Sequence, residues 1–229
     1  MKLDSTKVAL ITGASSGFGL AIAEHLAAQG VRVVMGDIDD VAGETAARTI
    51  NERHGEQRAI YRHCDVTKEA EQRALFEAAT TTFGGIDIVM NNAGISEPGR
   101  FPESPRWRQV IDINFTAVTL GVELAYEYLR RRGGGVVINT ASLSGLYPYP
   151  VAPVYSASKG AVISLTRALR TWKDEHNIRV NAVAPSFLMP LHLVIEAMER
   201  LIVDDTLAGE IARVTPQYGV NIVRWKGKL

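Results

Sequence analysis

Short apolar segments alternate with longer amphipathic segments from one end of the chain to the other. The short segments, such as VALIT at 8–12, are apolar almost throughout, which is typical of buried strands. The longer segments repeat their apolar residues at helical spacing. We therefore predict strands over 8–12, 31–37, 59–66, 86–94, 136–142, 178–185 and 210–214, and helices over 17–30, 40–54, 67–83, 105–132, 152–176 and 192–203.

This order of elements predicts the fold class. Strands that are apolar on both faces must be covered by helices on both sides, which favours a parallel sheet. Crossovers between parallel strands are right-handed, so the chain should form a doubly wound, Rossmann-like α/β sheet in three layers. The 229 residues contain no linker, repeat or low-complexity segment, and we expect a single domain over 1–229.

The overall composition excludes several classes of partner. Lys and Arg balance Asp and Glu at 25 each, so net charge favours neither nucleic acid nor a membrane surface. The single cysteine, Cys64, excludes an intrachain disulfide and a cysteine-based zinc cluster, and we expect no metal. The sequence has no apolar run of 18 residues and no signal-peptide core, so the expected location is cytoplasmic.

A glycine-rich turn follows the first predicted strand. The segment TGASSGFG places glycines where the strand passes into a helix. Glycines there let backbone amides approach a pyrophosphate, and the helix N-terminus favours the negative charge. A tight turn without a ligand would also use glycine. The dinucleotide interpretation makes these residues candidates for cofactor binding: Gly13, Ser15, Ser16, Gly17, Phe18 and Gly19.

Asp37 ends the second predicted strand and is followed by Ile38. A carboxylate at this position can accept hydrogen bonds from both ribose hydroxyls of NAD, and it would repel the extra phosphate of NADP. The loop over 14–16 carries no Arg or Lys to hold that phosphate. The alternative is that Asp37 or Asp39 caps the next helix. We predict NAD as the cofactor.

The third and fourth strands also end in polar residues. Asp65, beside Val66, could accept a hydrogen bond from the adenine amino group, or it could cap the following helix. The segment NNAG contains Asn92 and Gly94. Its asparagines could tie neighbouring strand ends together or face the cofactor, and both interpretations stay open.

Taken together, these motifs resemble the compact, single-domain type of the short-chain dehydrogenase/reductase family. The resemblance covers about residues 6 to 188. Beyond the glycine turn, Asp65 and NNAG, it rests on four further motifs: Asn114 in VIDINF, Ser142 in INTASLSG, Tyr155 with Lys159 in YSASK, and Asn181 in RVNAVAP.

The resemblance implies the catalytic roles. Tyr155 would exchange a proton with the substrate while NAD takes or gives a hydride, and Lys159 would hold the nicotinamide ribose. A nearby ammonium and the positive nicotinamide ring would lower the phenol pKa from about 10 towards neutrality. Ser142 would orient the substrate oxygen, and Asn114 would anchor a water that links Lys159 to solvent. Taken singly, these residues could instead be a helix cap, a buried amide or a core tyrosine.

The chain departs from the family pattern after Pro185. The family usually has Gly at the position of Ser186, so we expect strain there, and it has a Thr near Pro190 that is missing here. Leu188 could still offer a backbone contact to the cofactor. The helical lid that normally covers the substrate is either shortened or left out near 189–193.

The remaining features bear on substrate and assembly. The segment LYPYP at 146–150 and Phe187 would flank the pocket, which suggests an apolar secondary alcohol or ketone, although they could equally be ordinary packing. By resemblance, the helices at 105–132 and 152–176 would form a homodimer or homotetramer. The sequence thus predicts an NAD-dependent oxidoreductase. The alternatives are a non-catalytic NAD-binding sensor or scaffold and an NADP-dependent carbonyl reductase.

Overall fold

The computed structural model of the protein describes residues 1–187 and 189–224. Its strands are β1 (Val8–Thr12), β2 (Arg32–Asp37), β3 (Ala59–His63), β4 (Ile88–Asn91), β5 (Gly135–Thr140), β6 (Ile178–Pro185), β7 (Ile211–Thr215) and β8 (Gly219–Val223). Its helices are α1 (Gly17–Ala28), α2 (Asp40–His54), α3 (Glu69–Phe83), α4 (Trp107–Ile111), α5 (Ala117–Arg132), α6 (Pro153–Ala168), α7 (Trp172–His176) and α8 (Leu191–Val203).

The strands form one sheet in the order β3-β2-β1-β4-β5-β6-β7-β8. The pairs from β3 to β7 are parallel. Side chains alternate between two faces: Ala9 and Ile11 pack towards α1, α2 and α8, whereas Val8 and Leu10 pack towards α3 and α5. Because both faces are covered, the strands are apolar almost throughout. The predicted doubly wound, three-layer sheet is confirmed.

The last strand was not predicted. β8 pairs antiparallel with β7 at the edge of the sheet, with Ile211 opposite Val223. Its residues are half-buried or exposed, so they form no apolar run that would mark a strand. Gly219, with a φ of 60°, lets the chain reverse between the two strands.

Two long predicted helices are interrupted. The segment over 105–132 forms α4 and α5, joined by a π-helical turn over Asp112–Thr116. The segment over 152–176 forms α6 and α7, joined by a 3₁₀ turn over Leu169–Thr171. The π-helical turn matters for function, because such turns redirect side chains and often occur at functional sites.

Candidate active site

A continuous cleft with a volume of about 1370 Å³ runs along the carboxyl ends of the strands. It begins beside Asp37 at the end of β2 and reaches Tyr155 on α6. The strand order reverses between β1 and β4, and parallel α/β sheets bind ligands at such a switch point. Its lining contains these predicted site residues: Gly13, Ser16, Phe18, Asp37, Ile38, Asp65, Val66, Asn92, Gly94, Ser142, Tyr155 and Lys159.

The glycine turn is built so tightly that it requires glycine. Gly13 has a φ of 64°, and a Cβ there would lie 2.8 Å from the Cα of Ala93. A Cβ on Gly19 would lie 2.0 Å from the carbonyl oxygen of Gly13. Ser15 is buried and donates its hydroxyl to the Asp39 carbonyl at 3.3 Å, so that side chain faces away from the cleft. The turn therefore places main-chain atoms at the cleft wall, and main-chain amides are the groups that bind a pyrophosphate.

The structure separates the roles of the two aspartates near α2. Asp39 is the helix cap, since its carboxylate accepts from the Ala42 amide at 3.0 Å. The Asp37 carboxylate instead accepts from the amides of Ser15 at 3.0 Å and Ile38 at 2.7 Å. These amides hold the carboxylate in one orientation at the cleft wall. The alternative that Asp37 caps α2 is wrong.

Asp65 closes the turn that leads into α3. One carboxylate oxygen accepts from the amide of Thr67 at 3.0 Å and from its hydroxyl at 2.7 Å. The Thr67 hydroxyl bond lowers the pKa of Asp65. Lys68 occupies the position before α3 and makes no side-chain bond to the helix, so Asp65 is a turn residue and not the helix cap. Asp65 and Val66 both line the cleft.

The Asn92 side chain ties three strand ends together. Its amide nitrogen donates to the carbonyls of Thr12 at 3.0 Å and Gly13 at 3.1 Å, and its oxygen accepts from the Thr140 hydroxyl at 3.2 Å. Of the two alternatives for this side chain, the structure shows the tie between strands. Gly94 follows in the cleft wall, where a Cβ would lie 3.3 Å from the Lys159 Nζ.

The structure brings three of the four predicted catalytic side chains together. Ser142 follows β5, and its hydroxyl lies close enough to Tyr155 on α6 to lower the pKa of that phenol. Ser142 Oγ also accepts from the amide of Ser144 at 3.3 Å, so it caps a short 3₁₀ turn as well. The Lys159 Nζ lies 5.9 Å from the centre of the Tyr155 ring and donates to the Thr140 carbonyl at 2.7 Å. A phenol, a hydroxyl and an ammonium therefore share one end of the cleft.

The pKa values of this cluster depart from expectation. Burial raises the pKa of the Tyr155 phenol, although the nearby Ser142 hydroxyl acts in the opposite direction. Burial also lowers the pKa of Lys159 to about 8. The predicted lowering of the phenol pKa by Lys159 is not seen, and the effect of a nicotinamide ring stays a prediction. Loss of hydration dominates there, and the ammonium is directed at the Thr140 carbonyl.

Asn114 lies in the π-helical turn and is fully buried. Its side chain accepts from the Ile95 amide at 2.8 Å and donates to the Ile95 carbonyl at 2.9 Å. It also donates to the Ser158 hydroxyl at 3.3 Å. These contacts fix the segment after β4 beside α6. The side chain has these partners within the protein, and its water-anchoring role stays a prediction.

The segment after β6 differs from expectation in one respect. Among the described residues other than glycine, only Asn177 has a positive φ, so the predicted strain at Ser186 is wrong. The Ser186 hydroxyl instead contacts the Met189 sulfur at 3.0 Å. Helix α8 begins at Leu191, soon after β6 ends. Leu188 lies outside the described residues, and the shortened lid near 189–193 stays a prediction.

The mouth of the cleft carries exposed apolar side chains. Phe187 is 89% exposed, Tyr147 is 61% exposed and Tyr149 is 56% exposed, and all three line the cleft. These are residues that the sequence predicted to flank the substrate pocket. Exposed aromatic side chains beside a cleft are typical of a binding surface for an apolar group.

The sequence analysis did not predict a buried carboxylate in the wall of the cleft. Glu97 is buried, and its Oε2 accepts from the amides of Val154 at 2.9 Å and Tyr155 at 3.0 Å. The contact joins residues 57 and 58 positions apart, so no local pattern indicates it. The one signal that could have suggested it is position. The segment that contains Glu97 follows NNAG at the end of β4, next to α6.

The helices and the acidic, histidine and cysteine side chains bear on membranes and metals. Across residues 1–187 and 189–224, no helix has both the length and the apolar character to cross a membrane. In the part of the chain that the structure describes, no group of three or more His, Cys, Asp or Glu side chains is arranged as metal ligands.

Comparisons with known proteins agree on one family. The family model described as short chain dehydrogenase matches residues 7–193. The chain is 33% identical to 15-hydroxyprostaglandin dehydrogenase [NAD(+)] of Homo sapiens, over 85% of this chain and 72% of that protein. It is 37% identical to cis-4-hydroxycyclohexanecarboxylate dehydrogenase of Sinomonas cyclohexanicum, over 79% of this chain and 73% of that protein. The structure of 3-ketoacyl-(acyl-carrier-protein) reductase from Brucella melitensis complexed with NADH aligns with a TM-score of 0.84 and 30% identity. The alignment covers 91% of this chain and 96% of that chain.

Proposed function

Because the chain belongs to the short-chain dehydrogenase/reductase family of oxidoreductases, we propose that it transfers a hydride between NAD and a secondary alcohol or the corresponding ketone, with Tyr155 as general acid and base. One observation carries this proposal. Tyr155, Ser142 and Lys159 meet in a cleft that continues to the glycine turn and Asp37. The cleft thus joins a proton-transfer group to a surface suited to a dinucleotide.

The choice of NAD rests on Asp37. Its carboxylate is held by backbone amides at the wall of the cleft, where it suits two ribose hydroxyls and opposes a phosphate. A relative named for NAD(+) and a structure complexed with NADH support the same choice. The proposed contacts to the cofactor are Gly13, Ser16, Phe18, Asp37, Ile38, Asp65, Val66, Asn92, Gly94, Tyr155 and Lys159 from the cleft wall, and the backbone of Ser15, Gly17 and Gly19 beside it.

The proposed chemistry assigns a task to each side chain. A bound nicotinamide would accept the hydride in alcohol oxidation and return it in ketone reduction. Ser142 holds the substrate oxygen through a hydrogen bond, and Tyr155 takes the hydroxyl proton in oxidation or gives it back in reduction. Lys159, with a pKa near 8, places positive charge beside the phenol and can pass the proton onward. Asn114 keeps the Ile95 segment against this cluster.

The substrate side of the cleft supports an apolar secondary alcohol. Tyr147, Tyr149 and Phe187 offer an exposed aromatic wall beside Ser142. The relatives named above act on a hydroxylated prostaglandin and a hydroxylated cyclohexane ring, which agrees with a secondary alcohol. We also propose that the chain acts as one domain with a shortened lid near 189–193. By family resemblance it would assemble as a homodimer or homotetramer through α5 and α6.

The direct test follows the absorbance of reduced nicotinamide over a panel of secondary alcohols, with NAD and NADP in parallel. A Tyr155→Phe variant removes only the hydroxyl, so it should bind NAD normally and lose turnover by about 100- to 10,000-fold. Tyr218→Phe is the matched control, because Tyr218 is 68% exposed and lies on the turn before β8. Equal turnover by the Tyr155→Phe variant would refute the assignment.

The rival function is an NAD-binding sensor or scaffold without turnover. The exposure of Phe187 at the cleft mouth supports it, since a site open to water loses much of its electrostatic advantage. Tight NAD binding with no product across the panel would favour that function. Turnover with NADP in preference to NAD would favour a carbonyl reductase, against the position of Asp37.

A further inference from the structure

Glu97 holds the first turn of α6 from a distant part of the chain. Its Oε2 accepts from the amides of Val154 at 2.9 Å and Tyr155 at 3.0 Å. Amides in the first turn of a helix have no acceptor within the helix itself. Ala152, at the cap position, has no side-chain oxygen, and Pro153, the first helical residue, has no amide hydrogen. Glu97 therefore supplies the acceptor for both amides of this turn.

The main-chain carbonyl of Tyr155 is held as well. It accepts from the Ser158 hydroxyl at 2.7 Å, and that hydroxyl accepts from the Asn114 side chain at 3.3 Å. The Asn114 side chain is bonded to the amide and the carbonyl of Ile95 at 2.8 and 2.9 Å. Ile95 stands two residues before Glu97. Two routes of hydrogen bonds, one through Glu97 and one through Asn114, therefore lead from the same short segment to the main chain of Tyr155.

This short segment, residues 94–97, is part of the cleft wall. It follows NNAG after β4, and a Cβ on Gly94 would lie 3.3 Å from the Lys159 Nζ. A Ser, Thr or Asp at position 152 would cap α6 locally, but it would not join the helix to this wall. The carboxylate of Glu97 does both. It therefore fixes where the Tyr155 main chain lies relative to the cleft.

We propose that Glu97 is a positioning residue for the reaction: it holds the main chain of Tyr155 against the segment over 94–97, so that the phenol stays within reach of the substrate oxygen. This inference rests on the proposed function, in which Tyr155 is the general acid and base. Proton transfer requires hydrogen-bond contact, and a displacement of about 1 Å can lower a rate by about 100-fold. Glu97 itself touches no reacting atom in this scheme, since it acts through the amide of Tyr155.

The test measures kcat and KM for the secondary alcohol of the panel that is oxidised fastest, together with the Kd of NAD. Glu97→Met removes the acceptor at similar volume and should lower kcat by about 10- to 100-fold. The Kd of NAD should change by less than about threefold, because Asp37 and the glycine turn lie at the other end of the cleft. Glu103→Met, at an exposed position of the same loop, is the control and should keep the wild-type kcat.

The conservative variant Glu97→Gln should rescue the rate. Its side-chain oxygen can take the place of Oε2, and Oε1 has no hydrogen-bond partner among the described residues, so the exchange loses no contact. We expect kcat within about threefold of the wild-type value. A loss as large as that in Glu97→Met would contradict the positioning role, because the two amides would still have their acceptor.

A double variant separates positioning from helix capping. Adding Ala152→Ser to Glu97→Met gives α6 a local cap, which should restore the free energy of unfolding in urea. The kcat should stay low, because the helix is still not joined to the segment over 94–97. Recovery of kcat together with stability would overturn the inference, since Glu97 would then act only as a cap. The local cap also keeps the protein folded if Glu97→Met alone is unstable.

A spectroscopic measurement separates this inference from the proposed function. Tyrosine labelled with ¹³C at the hydroxyl-bearing ring carbon gives an NMR resonance for Tyr155, which is assigned by its loss in Tyr155→Phe. Glu97→Met should shift this resonance, and Glu97→Gln should not. An unshifted resonance, or a wild-type kcat, in Glu97→Met overturns the inference alone. Absence of turnover by the wild-type protein over the whole panel counts against the proposed function, whatever the resonance shows.

Discussion

Replacing Lys159 by methionine should stabilise the ligand-free protein at pH 7. Lys159 is 3% exposed, and within the described part of the chain its ammonium donates to one carbonyl, that of Thr140, at 2.7 Å. Burial lowers its pKa from 10.5 to about 8. The charged form is therefore unfavourable in the folded protein, and methionine fills a similar volume without charge.

The magnitude follows from the pKa. Each pKa unit corresponds to about 1.4 kcal/mol, so charging Lys159 in the folded protein costs about 3 kcal/mol. Methionine also loses the hydrogen bond to Thr140, which contributes about 1–2 kcal/mol. The free energy of unfolding at pH 7 should then rise by about 1–2 kcal/mol. For a protein of this size, Tm should increase by about 2–8 °C.

The pH dependence gives the sharper result. Between pH 8 and 10.5 the unfolded chain holds a proton on Lys159 and the folded chain does not, so wild-type stability rises with pH through this window. The variant lacks this gain. Its advantage should shrink above pH 8 and reverse by pH 10.5, where only the lost hydrogen bond remains.

Urea unfolding of both proteins at fixed protein concentration between pH 7 and 10.5 measures this difference. Lys2→Met is the control, because Lys2 is exposed and its removal should leave the pH dependence unchanged. A constant difference between wild-type protein and the Lys159→Met variant over the whole range would refute the reasoning. Burial would then not oppose the charge on Lys159.

Two further changes test the dinucleotide end of the cleft. Gly19→Ala puts a Cβ 2.0 Å from the Gly13 carbonyl oxygen and should destabilise the protein by about 1–3 kcal/mol in urea unfolding. Gly160→Ala, in α6, is the control, because the atom nearest to its Cβ is 3.5 Å away. This variant should stabilise the protein by about 0.5–1 kcal/mol. Equal effects would contradict the close packing of the turn. Asp37→Ala should lower the ratio of kcat/KM for NAD to that for NADP by at least about tenfold, because it removes a carboxylate that opposes the phosphate. Asp39→Asn, which keeps the cap of α2, should leave that ratio unchanged, and a similar drop there would contradict the role of Asp37.

The sheet was predictable because burial leaves a direct trace in the sequence. Strands β1, β4 and β6 are buried at every position and are mostly apolar. β8 leaves no such trace, because it lies at the edge of the sheet and no residue in it is fully buried. Sequence patterns report burial well, and they report edge pairing poorly.

The breaks in the long helices could not be predicted from local sequence. The π-helical turn around Asn114 accompanies its two hydrogen bonds to Ile95, 19 residues earlier in the chain. Periodicity describes only neighbours within a few turns. A contact between distant segments therefore overrides a pattern that continues as helix.

The candidate site also has a part that the sequence predicts and a part that it does not. Tyr155 and Lys159 are four residues apart on one helix, so the sequence alone places them on the same face. The predicted effect of Lys159 on the Tyr155 pKa is not seen, because that pKa depends on burial by the whole fold. Glu97 was missed because its partners are 57 and 58 residues away.

Three features at the carboxyl end of the sheet are each unfavourable in isolation. Lys159 is a buried cation, Glu97 holds a buried oxygen without a partner in the described chain, and Asn114 lies in an irregular helical turn. The apolar core formed by β1, β4, β6 and the helices offsets them. Residues that no stability requirement explains mark a functional site. The expected gain in stability from Lys159→Met is therefore also an argument for function, since a chain selected only to fold would not bury that charge.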